Sequence, residues 1–372
     1  MDPQRLERLR QEMQSAGLDA VFVSNPKNVQ YLTGFKAMMP GEVQPIGDPE
    51  GFALVRPSDV HLLCDGRYIA GARQLPGVTA QLIESPTGPK IIADKIKELV
   101  GAGAKTIGFE RDALLYSDAV GLLESSPDVK WQPAEERLAG LRLIKTPEEV
   151  ELIRKAQAIT SDCFEHVVKF IRIGMTERQV ALEIGNYLRT QSEGNSFDPI
   201  VAFGETSCHP HYLPDRNRIL EKGQMVLLDF GSIHEGYCGD MTRMLFMGKA
   251  DDRQREVYDL VLQAQLRCLG GIKPGVTCHS LDALCRDYFA ENGCAEQFAH
   301  GTGHGVGLAI HEAPRIKRGI EAKVEPGMVF TVEPGLYYEG WGGVRIEDMI
   351  VVTDTGHDNL TTTSKVIVEL DA

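Results

Sequence analysis

The chain has 372 residues, of which 42% are hydrophobic and 25% charged, a composition typical of globular proteins and not of disordered ones. Lys and Arg number 39 against 53 Asp and Glu, and the net charge of −14 argues against a nucleic-acid or anionic-membrane surface. No apolar run approaches the roughly 18 residues of a membrane span, the charged N-terminus has no signal region, and the 8 scattered Cys indicate reduced thiols, so we expect a cytoplasmic protein.

The first third of the chain alternates between helical and strand patterns. A helical stripe near the N-terminus precedes short apolar runs typical of buried strands, at 20–23, 52–55, 60–64 and 106–109. Two further helices are predicted, around residues 67–74 and 90–100. These elements predict an α/β domain, to which we assign residues 1–135.

A change of pattern marks a second domain, residues 136–372. Thr146 followed by Pro147 and two acids predicts the start of a long helix that runs to about residue 171. A second helix is predicted to begin at Thr176, where Gln179 completes a capping box.

This second domain contains an internal duplication. The helix start at Gly174–Thr176 recurs at Gly275–Thr277, a shift of 101 residues. The segments 229–239 and 333–343 then share the pattern acid-x-Gly-x3-Glu-Gly-aromatic-x-Gly. The predicted fold is therefore α+β with an internal pseudo-two-fold, and a crevice between its halves would have acids at equivalent points on both walls.

Four acids occupy these duplicated positions. Asp229 and Glu333 each follow a strongly apolar, β-like run, and Asp240 and Glu347 lie a short hairpin later. A carboxylate at the end of a buried strand is costly to desolvate unless a cation or hydrogen-bond donors compensate. One such acid is usually a structural carboxylate, but four in duplicated positions indicate a site.

The Gly-rich segment 298–307 lies between these acids and presents two histidines, His300 and His304. Four carboxylates and one imidazole suit a pair of hard to borderline divalent ions, namely Mn²⁺, Co²⁺, Fe²⁺ or Zn²⁺. Thiolate-rich structural zinc is not indicated, because the Cys are scattered.

Other local patterns do not indicate a site. His234 and His311 each begin an H-E-x-x-H-like run, but Cys238 and Arg315 occupy the fifth positions. Neither a P-loop nor a G-x-S-x-G elbow is present. Cys208 lies near two histidines, but no oxyanion context supports a nucleophile there.

Together, the motifs LLDFG, GYCGDMTR, HGTGHGVGLAIHE, TVEPGLY and GGVRIEDM resemble those of the creatinase/prolidase/methionine aminopeptidase superfamily with the "pita-bread" fold. Within it the chain is most similar to the Xaa-Pro peptidases, aminopeptidase P and prolidase. The segments 18–35 and 65–68 also resemble the N-terminal domain of creatinases and prolidases. The resemblance covers nearly the whole chain.

This resemblance implies a role for each site residue. Asp240 and Glu347 would bridge two metal ions, Asp229 would bind one of them, and His304 and Glu333 would bind the other. Glu333 would also help to activate the bridging water. His211 and His311 would be catalytic donors to the scissile amide, and Arg345 and His300 would support the ligands without binding metal. The implied cofactor is a pair of divalent ions, with Mn²⁺ as the first expectation.

The implied activity is hydrolysis of the Xaa-Pro bond at the N-terminus of peptides, by attack of a metal-bound hydroxide. The alternatives are a prolidase restricted to Xaa-Pro dipeptides and a catalytically dead pita-bread binding protein. Metal-free creatinase chemistry and methionine aminopeptidase activity fit less well. Tyr212 departs from the small residue that prolidases often carry after the position of His211, which leaves substrate length open. The partners implied are a proline-containing peptide, neither nucleic acid nor membrane, and a second copy in a homodimer or higher oligomer.

Overall fold

The computed structural model describes residues 3–36, 43–48, 50–84, 87–101, 103 and 105–371. By its internal contacts the chain divides into two compact units, Met1–Arg142 and Leu143–Ala372. The sequence predicts the domain boundary at residues 135–136, whereas the division by contacts falls after Arg142. A helix at Glu135–Leu143 spans the interval between the two.

The first unit alternates short strands and helices. In chain order these are α1 (Pro3–Ala16), β1 (Ala20–Val23), α2 (Pro26–Thr33), β2 (Phe52–Val55), β3 (Val60–Cys64), α3 (Ile69–Ala72), β4 (Thr79–Leu82), α4 (Pro89–Val100), β5 (Thr106–Phe109), α5 (Tyr116–Glu124), β6 (Lys130–Pro133) and α6 (Glu135–Leu143). The strands form a mixed sheet in the order β4-β3-β2-β1-β5-β6. The predicted α/β domain is confirmed, and β2 and β3 form an antiparallel hairpin.

Local sequence explains where the helices of this unit begin and end. The side chain of Asn25 accepts hydrogen bonds from the backbone N–H groups of Lys27 and Asn28, Pro26 opens α2, and Gly34 ends it in the left-handed conformation with φ of 81°. The central strands β1, β2 and β3 are buried along their whole length, as expected for a sheet covered on both faces.

The sequence prediction for this unit was wrong for one helix and incomplete for others. Helix α3 is shorter than the predicted 67–74, because Pro76 and Gly77 follow it closely and do not favour a continued helix. The elements that were not predicted are α2, α5, α6, β4 and β6. In α6 the buried side chains are limited to Leu138 and Leu141, so the apolar periodicity that normally indicates a helix is weak.

The second unit contains the candidate site. Its elements are α7 (Pro147–Phe170), α8 (Glu177–Gln191), β7 (Ile200–Phe203), β8 (Met225–Phe230), β9 (Ile233–His234), β10 (Tyr237–Cys238), β11 (Met241–Met247), α9 (Asp252–Gly271), α10 (Cys278–Glu291), β12 (Gly303–Gly305), β13 (Glu312–Ile316), β14 (Val329–Val332), β15 (Gly335–Tyr338), β16 (Gly342–Arg345), β17 (Asp348–Val352), β18 (His357–Asn359) and β19 (Val368–Leu370). Short 3₁₀ turns lie at Gly204–Cys208 and Ala295–Gln297. The larger sheets have the orders β19-β11-β8-β7 and β13-β12-β14-β17-β18.

Both predicted helix starts of this unit are confirmed. The hydroxyl of Thr146 accepts from the backbone N–H of Glu149, whose carboxylate accepts from the Thr146 N–H in return. Thr176 and Gln179 form the same reciprocal pair at the start of α8. These caps satisfy backbone donors that would otherwise lack partners at the ends of two helices.

The duplication appears in the backbone itself. Before α8, the Gly174 N–H donates to the Leu220 carbonyl at 2.9 Å; before α10, the Gly275 N–H donates to the Val324 carbonyl at 2.8 Å. Both glycines have a φ of 89°, a left-handed conformation that favours glycine. Helices α7 and α8 contribute to one apolar core, and α9 and α10 contribute to a second, larger core that includes strands of both halves.

The two halves arrange their central strands alike. The hairpin β9–β10 connects β8 to β11, and the hairpin β15–β16 connects β14 to β17. One predicted boundary was too short, because β8 continues through Asp229 to Phe230, and Asp229 pairs with Thr242 inside the ladder. Among the described residues no helix is both long and apolar enough to cross a membrane.

Candidate metal centre

The four duplicated acids lie at matching ends of the two strand pairs. Asp229 is in β8, and Asp240 directly precedes β11, its antiparallel partner. Glu333 directly follows β14, and Glu347 directly precedes β17. Each hairpin folds the chain back on itself, so the two acids of one repeat lie at the same end of their strands.

Strand β12 contributes His304 from between two glycines. A Cβ atom on Gly303 would lie 1.9 Å from the Thr331 carbonyl oxygen, and one on Gly305 would lie 2.1 Å from the Ala313 carbonyl oxygen. Neither position tolerates a side chain, so the glycines allow β12 to approach β13 and β14 closely. The Gly-rich composition of this segment thus serves the placement of His304.

One cavity of about 430 Å³ collects every candidate residue named from the sequence. Such a volume is within the usual range for a small-ligand site. The candidates that line it are Asp229, Asp240, His304, Glu333, Glu347, His211, His311, His300 and Arg345. Apolar and basic side chains complete the lining, among them Phe197, Ile200, Leu213, Ile310, Arg315 and Lys317.

The imidazole of His304 faces the acids with its Nε2 atom. Its Nδ1 lies 3.2 Å from the Gly305 carbonyl oxygen, which is an acceptor, so Nδ1 donates that hydrogen bond. Its Nε2 lies 3.2 Å from Glu333 Oε1 and 3.6 Å from Asp240 Oδ2. This nitrogen and the two carboxylate oxygens are therefore placed to share a proton or a cation.

Two carboxylate oxygens at this centre are buried without a hydrogen-bond donor from the described residues, Asp229 Oδ1 and Glu347 Oε1. In addition, Asp240, His304 and Glu347 each offer a ligand atom, and these atoms lie within 4.8 Å of one another. Buried acceptors without donors are costly unless a cation compensates. Carboxylate oxygens and an imidazole nitrogen form a donor set that fits divalent transition-metal ions.

The charges of the acids influence one another strongly. Burial and the neighbouring carboxylates raise the pKa values of Asp240 and Glu347 well above their ordinary range. Burial also raises the pKa of Asp229, against the opposing effect of Arg345. Burial acts in the same direction on Glu333, but its contact with His304 outweighs burial and lowers the pKa to about 2. Crowded carboxylates whose charge is disfavoured in this way are the environment that bound cations stabilise.

A chain of hydrogen bonds connects the acids to His300 through Arg345. The guanidinium donates from Nη2 to Asp229 Oδ2 at 2.5 Å and from Nη1 to the Tyr337 hydroxyl at 2.8 Å. That hydroxyl lies 2.9 Å from His300 Nε2, and His300 Nδ1 lies 2.7 Å from the Gly301 carbonyl oxygen. Because burial lowers the pKa of His300, the ring is neutral at pH 7 and accepts from Tyr337.

The sequence reasoning assigned no role to several residues that hold the acids in place. Thr242 accepts from Arg345 Nε at 2.9 Å and donates to Glu347 Oε2 at 2.7 Å. Gln157 on α7 bonds the backbone N–H and C=O of Asp240 at 2.9 and 2.8 Å. Gln265 on α9 donates to the Val332 carbonyl at 3.1 Å, next to Glu333. The sequence signal that could have indicated a role for Gln157 is its position as a polar residue within an apolar helical stripe.

The two substrate-side histidine candidates lie on loops at the cavity wall. Both His211 and His311 keep access to solvent. Partial burial and the neighbouring His304 and Arg315 lower the pKa of His311 to about 4. Tyr212, the departure noted in the sequence, has its ring stacked on His209 with 6.2 Å between centroids. Burial and the neighbouring Glu177 raise the pKa of its hydroxyl to about 12.

Comparison with known families identifies both parts of the chain. Residues 151–354 match the model for Metallopeptidase family M24. Residues 5–144 match the Creatinase/Prolidase N-terminal domain. These matches agree with the resemblance found in the motifs and with the predicted pita-bread fold.

Individual relatives span essentially the whole chain. An Xaa-Pro dipeptidase of Pyrococcus furiosus is 34% identical over 97% of this chain and 99% of its own length. The structure of an Xaa-Pro dipeptidase from Bacillus anthracis has a TM-score of 0.88 at 38% identity and covers 99% of both chains. An X-Pro aminopeptidase from Thermotoga maritima has a TM-score of 0.85 at 31% identity, covering 98% of this chain and 100% of that one.

The family match spans more than half of the chain, and relatives that cover nearly its full length support it. Membership implies divalent metal ions, which the donor set and the buried carboxylate oxygens of the cavity fit. The chain therefore belongs to metallopeptidase family M24 and carries a Creatinase/Prolidase N-terminal domain ahead of its catalytic unit.

Proposed function

We propose that this metallopeptidase hydrolyses the bond between an N-terminal residue and a following proline. The observation that carries the proposal is one cavity in which three buried acids, the partly buried Glu333 and His304 converge and two carboxylate oxygens have no donor among the described residues. Relatives named Xaa-Pro dipeptidase and X-Pro aminopeptidase cover essentially the whole chain and support the substrate class.

Two divalent ions would be held by Asp229, Asp240, His304, Glu333 and Glu347, with Asp240 and Glu347 shared between them. Mn²⁺ is the first expectation, and Co²⁺, Zn²⁺ or Fe²⁺ are alternatives with the same ligand preference. When bound, such ions polarise a carbonyl and lower the pKa of water enough for attack at neutral pH.

The protein's own residues would orient this centre and help to activate the attacking water. Arg345 fixes one oxygen of Asp229 and leaves the other free to bind metal. The Thr331 hydroxyl donates to Glu333 Oε1 at 2.9 Å and orients that carboxylate. The contact with His304 lowers the pKa of Glu333 to about 2, so its carboxylate is ionised at neutral pH and would help to activate the attacking water by accepting a hydrogen bond from it.

His211 and His311 would act on the substrate. Both line the cavity without belonging to the five proposed ligands. Each would donate a hydrogen bond to the scissile amide where negative charge develops, a contribution that is larger in the transition state than in the ground state.

The proline ring requires recognition by shape. The amide before proline has no N–H to donate, so a peptidase of this class cannot rely on that hydrogen bond. Phe197, Ile200, Leu213 and Ile310 give the cavity an apolar wall, and Leu213 is 78% exposed, so it is free to contact a ligand. This wall is the proposed contact surface for the ring.

The second candidate function is cleavage restricted to dipeptides. Arg315 and Lys317 line the same cavity, and both are exposed side chains at its wall. A cationic group at this place would favour a substrate whose free carboxylate directly follows the proline. Tyr212 also lines this cavity and belongs to the loop that presents His211, so it would influence the length of substrate that fits.

A substrate panel separates these alternatives. The metal-free protein is assayed with and without Mn²⁺ on Xaa-Pro dipeptides, on Xaa-Pro-Yaa peptides and on matched Xaa-Ala peptides. The proposal requires Mn²⁺-dependent cleavage before proline and weak cleavage before alanine. Cleavage of dipeptides alone would select the second candidate. A protein that binds no stoichiometric metal and cleaves nothing would be a binding protein on this fold.

A further inference from the structure

A buried ion pair lies beside the site and belongs to none of the proposed catalytic groups. Lys145 Nζ is 2.8 Å from Glu312 Oε1, and the two side chains are only 2% and 6% exposed. Burying two charges rarely stabilises a fold more than apolar residues of similar volume would. The pair therefore calls for an explanation other than stability.

Glu312 is the first residue of β13, directly after the loop that presents His311. It directly follows His311 in the chain and pairs with Gly305 across β12 and β13, beside a register shift at His304. Its Oε2 accepts from the Ala309 N–H at 3.4 Å. A Cβ on Gly307 would lie 2.4 Å from its Oε1, so the carboxylate fills the inside of the turn that leads from His304 to His311.

Lys145 is anchored to the backbone beside β14. Its backbone N–H donates to the Gly327 carbonyl at 2.9 Å, just before β14, the strand that Glu333 directly follows. A side chain on Gly327 would contact Ile144 at 2.8 Å and the Lys145 carbonyl at 3.1 Å, so the backbones are in close contact. Thr146, the next residue, caps α7, and that helix holds Asp240 through Gln157.

We propose that Lys145 and Glu312 are positioning residues that tie the His311 loop to the segments holding Glu333 and Asp240. The inference rests on the proposed function, since it assumes that His311 acts on the substrate. A hydrogen-bond donor displaced by about 1 Å loses much of its effect on the transition state. The ion pair would fix the distance between His311 and these segments. Glu312 directly follows the His311 loop, and the backbone of Lys145 is bonded beside β14.

The test replaces both charges at once, in the variant Lys145→Met/Glu312→Gln, so that no unpaired charge remains buried. Glutamine keeps an oxygen for the Ala309 N–H, and methionine keeps the volume of the lysine stem. We expect wild-type Mn²⁺ content and a thermal midpoint close to wild type, with kcat about 10- to 100-fold lower and KM within a few-fold on one Xaa-Pro dipeptide. The control Arg154→Met/Glu151→Gln removes an exposed pair on α7 and should retain wild-type kcat.

A double-mutant cycle with His311→Ala shows whether the pair acts through that histidine. If it does, replacing the pair costs nothing further once His311 is gone. An equal loss of kcat in both backgrounds, or wild-type kcat in the pair variant, would overturn the inference while leaving the proposed function intact. Wild-type kcat in His311→Ala alone would instead refute the catalytic assignment.

A second variant covers the case in which the double substitution does not fold. Glu312→Asp keeps the charge for Lys145 but withdraws the carboxylate from the Ala309 N–H by one methylene. Positioning predicts a lower kcat with unchanged Mn²⁺ content, and a further loss that again disappears in the His311→Ala background. A variant with wild-type kcat would show that the turn does not depend on this carboxylate.

Discussion

The two repeats of the second unit each present a histidine to the same cavity, but different side chains support the two histidine loops. In the first repeat, Tyr212 follows His211, and its hydroxyl lies near Glu177 at the start of α8. In the second, Glu312 follows His311 and pairs with Lys145, ahead of the first helix of the unit. The residue after the histidine is the anchor in both cases, but its chemistry and the source of its partner differ.

Sequence differences at equivalent positions explain why the repeats diverge. Glu177 accepts from the Phe203 and Asp215 N–H groups at 2.8 and 3.0 Å and so organises the loops of its own repeat. Shifted by 101 residues, its counterpart is Cys278, a buried thiol that cannot pair with a cation or accept several donors equally well. In the second repeat the partner of the loop, Lys145, lies outside the repeat. The two repeats share their strands and acids but differ in the side chains that support their loops.

The largest expected effect tests the part that the repeats share. Asp240→Ala removes an acid of the first repeat, and Glu347→Ala removes its counterpart in the second. If the two acids share both ions, each substitution should lower kcat/KM at least about 10³-fold and reduce bound Mn²⁺, measured by elemental analysis. The exposed Asp259 on α9 provides the control substitution Asp259→Asn. Full activity of Asp240→Ala without added metal would end the dinuclear proposal.

The next effect separates the two loop histidines from the ligand histidine. His211→Ala and His311→Ala should each lower kcat by a factor of about 10²–10³, the usual contribution of a donor to developing charge. Both variants should keep Mn²⁺ and a near-normal thermal midpoint, because neither residue is among the proposed ligands. His304→Ala should lose metal instead. An early melting transition in His311→Ala would mean that this histidine supports the fold.

Metal removal should reveal that both repeats contribute to one binding site. A ligand at 100 times its dissociation constant stabilises the folded state by about 2.7 kcal/mol. For a unit of this size we expect Mn²⁺ to raise the thermal midpoint of the chelated protein by roughly 5–10 °C. Asp229→Asn in the first repeat and Glu333→Gln in the second should both diminish that rise. A rise that survives both substitutions would place the stabilising ion elsewhere.

A smaller effect concerns the support that is specific to the second hairpin. Tyr337 links Arg345 to His300, whereas Ile233, an apolar residue, has the same place in the first hairpin. Tyr337→Phe leaves a buried donor and a buried acceptor without this partner, a cost of about 1–3 kcal/mol each. We expect kcat to fall roughly 10-fold with Mn²⁺ retained. Equal kcat for Tyr337→Phe and wild type would show that Arg345 orients Asp229 without this link.

The sequence predicted the shared features better than the separate ones. Capped helix starts, apolar strands and the acids beside them follow local rules, so Thr146, Thr176 and the fold class could be read directly. The supports join residues far apart in the chain, such as Lys145 with Glu312, and no local periodicity indicates which distant partner a buried charge will meet. Tyr212 could be recognised as a departure from a family pattern, but its partner Glu177 could not.

The smallest expected effect tests the anchor of the first repeat. Tyr212→Phe removes the hydroxyl that lies near Glu177 but keeps the ring that stacks on His209. Glu177 still accepts from two backbone N–H groups and from the Thr206 hydroxyl, so the fold should tolerate the change. Loss of one polar contact at a partly exposed side chain is worth at most about 1 kcal/mol, which predicts a few-fold lower kcat, less than for the buried pair at Lys145 and Glu312. Tyr187→Phe, on α8 of the same repeat, serves as the control. Should Tyr212→Phe lose as much kcat as Lys145→Met/Glu312→Gln, the two loops would depend equally on their anchors, and the contrast between a solvent-accessible hydroxyl and a buried ion pair would have no functional consequence.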